Sequence, residues 1–134
     1  MTGCAFAALL PAGCALPGKG KAGSFARVQP VLERHCVHCH GEGRLPHMVA
    51  FHTTAGLADL MGPSQWIKPG RPEDSRFYQV VMAGDEQPLA MPPTGHAISR
   101  KDREVIREWI AAGAPLPEAP GVTLQPRGTL DRSR

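Results

Sequence analysis

Aromatic side chains are scarce in this 134-residue chain, where Phe6, Phe25, Phe51, Trp66, Phe77, Tyr78 and Trp109 make up the whole set. Rings usually supply much of a core's bulk, so a domain of this size is expected to hold some other filler. The apolar run at residues 4–16 is too short to cross a bilayer. No internal repeat and no segment alternating with period two is found, which argues against a sheet. A continuous basic stripe is missing as well. Residues 24–113 carry ten Lys/Arg and ten Asp/Glu, so the formal charge of +3 resides in the flanks. Without interleaved aromatics those flanks make no nucleic-acid surface. Four cysteines are present, but Cys4 and Cys14 lie in the apolar run and Cys36 and Cys39 in a His-rich cluster. Two such unlike pairs are a poor disulfide framework.

Fifteen glycines and fourteen prolines are what the chain has in plenty, and they imply short elements joined by irregular loops. Residues 1–23 read as a leader and linker: CAFAALLPAGCAL has the apolar character of a secretory signal, with no Lys or Arg before it, and PGKGKAG is flexible. Leu10 to Cys14 also resembles a bacterial lipoprotein cleavage box, in which Cys14 would carry the lipid anchor, although Pro11 stands where an aliphatic residue is usual.

The domain is expected over 24–114. Phe25, Val28, Val31 and Leu32 recur at helical spacing, with Pro30 expected near the helix start and Gly41 as its stop. A short helix over Thr54–Met61 is capped by Thr53. Another opens at Pro72-Glu-Asp-Ser and carries Phe77, Tyr78, Val81 and Met82 on one face. The clearest helix has Ser99 as its cap, Val105, Ile106, Trp109 and Ile110 as its stripe, and Gly113 as its end. Residues 115–134, rich in proline and without periodicity, read as a disordered tail. The fold class is therefore all-α, with three to four short helices and long loops.

Chemistry concentrates in His35-Cys36-Val37-His38-Cys39-His40-Gly41, which contains Cys-x-x-Cys-His, the haem-attachment pattern. A helical turn followed by a bend sets two thiols where they can add to two vinyl groups on one side of a porphyrin. The next residue, His40, then lies under the ring with a nitrogen toward the iron. Other readings compete. Cys36, Cys39, His47 and His52 offer a zinc set, with a middle loop too short for the usual finger. A thioredoxin-like dithiol wants a βαβ setting, which the pattern does not provide. A chance grouping of a buried thiol pair with surface histidines is the plainest alternative.

Over residues 25–114 the sequence resembles the monohaem c-type cytochromes of bacteria. The matching pieces are V-x-P-V-L-E-x-x-C-x-x-C-H-G at 28–41, P-G-R-P-E-D-S-R-F-Y at 69–78, M-P-P at 91–93 and I-S-R-K-D-R-E-V-I-R-E-W-I-A-A-G-A at 98–114. The resemblance implies a cytochrome c-like fold around one covalent haem c on Cys36 and Cys39, with His40 and Met91 as axial ligands of the iron. It implies an electron carrier rather than an enzyme, exported to the periplasm and exchanging electrons with redox proteins such as a dehydrogenase or quinol-side donor and an oxidase or reductase. A haem-based sensor and a zinc-binding interaction module stand as alternatives. Met91 precedes two prolines that stiffen its loop, as a weak neutral ligand requires. His96, five residues on, is the alternative ligand. Trp66 and Arg71 are candidates for bonding haem propionates, and Arg71 stands where the family often has an Asn or Asp cap.

Overall fold

The computed structural model describes residues 20–84, 87–93, 96, 98–118 and 121–129. Among them are four helices: α1 (Phe25–His35), α2 (Thr54–Met61), α3 (Arg76–Met82) and α4 (Arg100–Ala111). No strand occurs among the described residues, where Thr53 and Thr123 form an isolated antiparallel bridge. The helical character agrees with the all-α class. The leader with Cys4 and Cys14 lies outside the described residues, as do 130–134 of the tail.

Helix α1 packs on α4, and so does α3. Val28 and Leu32 of α1 and Ile106, Trp109 and Ile110 of α4 are fully buried, joined in one core by Leu57 and Leu60 of α2 and Phe77 and Val81 of α3. The approach of α1 to α4 is close at Gly23, whose positive φ of 76° suits glycine and where a Cβ would lie 2.6 Å from that of Ala112. Arg27 and Glu108 bridge the same two helices at 3.0 Å.

The helix ends follow local chemistry. Thr53 accepts from the Gly56 N–H at 3.0 Å and Ser99 from the Asp102 N–H at 3.1 Å, each satisfying an orphan donor of a first turn. Gly113, at φ 94°, turns the chain out of α4, after which the Trp109 indole donates to the Pro115 carbonyl at 3.0 Å.

Three expectations about the helices are corrected. Helix α1 begins at Phe25, so Pro30 lies inside it. The carbonyl that Pro30 cannot serve belongs to Ala26, which is exposed and open to water. Helix α3 begins at Arg76, because Pro72 to Ser75 closes as a separate turn through the Ser75 N–H and the Pro72 carbonyl, 3.0 Å apart. Met82, expected to pack, ends α3 and is 46% exposed.

The largest difference is the tail. Residues 121–129 run back across the domain: Leu124 is 1% exposed, and its N–H donates to the His52 carbonyl at 2.7 Å. Val122 and Thr54 exchange bonds, the Arg127 N–H donates to the Glu33 carbonyl, and the Arg127 guanidinium pairs with the Glu33 carboxylate. Proline content argued for disorder here, but burial of one leucine and a recipient for each of these backbone groups order an extended strap without periodicity.

Candidate functional site

Cys36 to His40 follow α1 rather than extending it. The Leu32 carbonyl accepts from both the Cys36 and Val37 N–H groups, and the Cys36 carbonyl then accepts from those of Cys39 and His40, at 2.9 to 3.1 Å. Two tight turns thus replace the expected continuation to Gly41, and Cys36 itself is the helix's C-cap. The turns divide the thiols: Cys36 is buried in the core with Val37, whereas Cys39 is half-buried, and neither is in a disulfide. Burial, with a smaller contribution from Cys39, pushes the Cys36 thiol up to about 12.

His40 is oriented from two sides. Its Nδ1 lies 2.7 Å from the Val49 carbonyl, which can only accept, so the proton is on Nδ1 and Nε2 keeps a lone pair in the neutral ring. Phe51 stacks on the imidazole at 4.6 Å between centroids, and its N–H donates to the His40 carbonyl at 3.0 Å. Phe77 of α3 meets Phe51 edge-on at 5.6 Å and ties the site to the core. Neither the Val49 carbonyl nor the Phe51 stack was anticipated. A backbone acceptor leaves no mark on composition.

Met91 is half-buried, and its N–H donates to the Val80 carbonyl at 2.9 Å, which fastens its loop to α3. His96 lies 3.2 Å from His35, whose other ring nitrogen is 2.9 Å from Asp102. Burial is the main influence on His35 and, with His96 and Arg34, holds its pKa below the ordinary 6.5 against the Asp102 carboxylate, which raises it. His38 points the other way, to the Arg127 carbonyl of the strap at 3.2 Å. Trp66 is 38% exposed, and Arg71 is within 3.7 Å of Asp74. His52 is 3.8 Å from Glu42. Among the described residues no three of His, Cys, Asp or Glu are grouped to hold a metal ion, so the Cys36, Cys39, His47 and His52 set is not assembled.

Compared with protein-family models, curated proteins and solved structures, the chain matches none. Among the described residues no helix is long and apolar enough to cross a membrane.

Proposed function

We propose that this chain is an electron carrier with a cytochrome c-like fold, holding one covalent haem on Cys36 and Cys39 with His40 and Met91 as the axial ligands. The observation that carries the reading is the 2.7 Å bond from His40 Nδ1 to the Val49 carbonyl. An imidazole that is to bind a metal needs its second nitrogen held by an acceptor, which fixes both tautomer and ring direction. Here that arrangement falls directly after two unpaired thiols three residues apart. The donor set suits the group: one thiol faces the core, the other is half-buried, and His40 keeps a lone pair on Nε2.

When bound, the haem supplies reversible one-electron chemistry at its iron. The protein's own residues do the rest. Cys36 and Cys39 would keep the cofactor from leaving, while Phe51 and the Val49 carbonyl hold the His40 ring. The Val80 carbonyl holds the backbone of Met91. If His40 and Met91 both held the iron, the chain would leave no position for a substrate, and its activity would be electron exchange with redox protein partners. Thioether attachment of haem takes place outside the cytoplasm, so the reading carries export to the periplasm, with Cys14 as a lipid anchor. Labelling by a fatty-acid analogue, lost in Cys14→Ala, tests the anchor.

The decisive experiment is expression of the chain together with haem-attachment machinery. The purified protein is expected to be red and to remain heavier by one haem after denaturation, and C36A/C39A to lose the pigment. A colourless product under conditions that load other such proteins defeats the proposal. Rapid carbon monoxide binding by the reduced protein at neutral pH would instead make it a sensor.

A further inference from the structure

The His40 ring is held by a stretch of chain that has little hold of its own. Val49, whose carbonyl faces Nδ1, is 54% exposed, and residues 42–47 and 50 are exposed with it. The backbone bonds that this stretch makes within itself close short turns, from the Arg44 N–H to the Gly41 carbonyl and from the Met48 N–H to the Leu45 carbonyl. The Val49 acceptor is therefore placed from its other end. There Phe51 is buried against the His40 ring, with its N–H on the His40 carbonyl.

Each of the three residues after Phe51 meets the strap. The Leu124 N–H donates to the His52 carbonyl at 2.7 Å, and Thr53 forms the antiparallel bridge with Thr123. The Thr54 N–H donates to the Val122 carbonyl at 3.0 Å, and the Thr54 hydroxyl accepts from the Val122 N–H at 3.2 Å. Thr54 and Leu124 are both buried. Further along, the strap reaches the end of α1. The Gln125 N–H donates to the Glu33 carboxylate at 3.3 Å and the Arg127 N–H to the Glu33 carbonyl at 3.0 Å. The Arg127 carbonyl lies 3.2 Å from Nε2 of His38, which stands between the two thiols. Residues 122–127 thus join the segment that holds His40 to the turn that carries the cysteines.

We infer that the strap is a positioning element for His40, holding the Val49 acceptor and the Phe51 ring in place through Thr54 and Leu124. The inference rests on the haem reading above. A metal-binding imidazole depends on the acceptor at its second nitrogen, which sets the ring's direction and makes the other nitrogen a stronger donor. Only Ala50 and Phe51 separate Val49 from His52. Phe51 pins one point of this backbone and the strap a second, and two points are needed to set the direction in which the Val49 carbonyl faces. A strap that lets go of His52 and Thr54 would leave that carbonyl free to drift from Nδ1, and His40 would become a poorer donor to ferric iron.

The test uses the haem-loaded full chain and two readouts, the reduction potential and the solvent exchange of the His40 Nδ1 proton in the reduced protein, followed by nuclear magnetic resonance. Thr54→Val, which keeps the shape but removes the acceptor of the Val122 N–H, and Leu124→Ala should each raise the potential, by the equivalent of about a tenfold change in the oxidised-to-reduced ratio. Both should speed the exchange about tenfold, the effect of losing one hydrogen bond. Thr54→Ser, which keeps the hydroxyl, should stay near wild type. Gly23→Ala, which crowds the opposite end of α1 against Ala112, should lower stability and leave both readouts alone. If Thr54→Val and Leu124→Ala lose stability but keep the wild-type potential and exchange, the strap is structural only, the inference is refuted and the haem reading stands. If Gly23→Ala moves both readouts as far, the effect is general loosening and the inference is equally wrong. A colourless wild type removes the proposed function and this inference with it. Should Leu124→Ala not fold, Thr54→Val against Thr54→Ser gives the same comparison.

Discussion

Arg127 reaches across from the strap to the carboxylate of Glu33, a residue only 2% exposed in the body of α1. The same carboxylate accepts from Gln29 at 3.0 Å and from the Gln125 N–H at 3.3 Å. An ionised group so enclosed is tolerable only with such partners. Arg127→Ala should therefore lower stability by about 1–3 kcal/mol, less than a fully buried pair would cost because the guanidinium is in contact with water. Adding Glu33→Gln should recover part of the loss. Denaturant unfolding of the single and double variants checks this, and additive losses would mean the pair is uncoupled.

Leu124 makes the strap's most deeply buried apolar contact. Truncation to alanine removes a fully buried side chain and should cost about 2–5 kcal/mol. An unchanged unfolding midpoint in Leu124→Ala would show that the strap does not pack in solution.

Ser75 is fully buried between α2 and α3, where its hydroxyl accepts from the Lys68 N–H at 2.9 Å and donates to the Arg71 carbonyl at 2.8 Å. Ser75→Ala strands the Lys68 donor and should destabilise by about 1–3 kcal/mol. Ser75→Thr, which keeps the hydroxyl but adds a methyl at a fully buried position, should not restore wild-type stability. Thermal unfolding of both variants decides.

The thiols should differ in reactivity in folded, haem-free chain. Cys36, buried and pushed up to about 12, holds almost no thiolate near neutrality, whereas Cys39 is half-buried. Alkylation followed by peptide mapping should mark Cys39 first, and denaturant should abolish the difference. Equal rates without denaturant would contradict the inward packing of Cys36.

His35 gives stability a pH dependence. Its folded pKa lies below the ordinary 6.5, chiefly through burial, so the unfolded chain binds its proton more readily. The stability associated with the neutral ring is complete above 6.5, declines as pH falls from there through the lower folded value, and then levels off. H35F should flatten that decline. Unfolding free energies measured across this window, above the range where carboxylates titrate, check the sign.

Much of the framework could be read from residue order. The Thr53 and Ser99 caps, the stripe Val105, Ile106, Trp109 and Ile110 and the stop at Gly113 each depend on neighbours within a turn or two, and local chemistry decides them. The strap could not be read that way. Leu124 and Arg127 are fixed by Glu33 and His52, partners far away in sequence, and nothing in their own surroundings departs from linker composition. At the site, Cys36, Cys39 and His40 stood out by spacing, but the role of His35 required Asp102 and His96 from a distant turn.

The order in which the polypeptide is made gives the strap a temporal meaning. Gln125 meets Glu33 across a separation of 92 positions, so this closure waits until the chain between them has been made. Until then the stretch holding both thiols is synthesised, accessible and not yet covered from the His38 side. Cys36, buried once the domain has closed, is open to modification in that interval, whereas Cys39 stays half-buried afterwards.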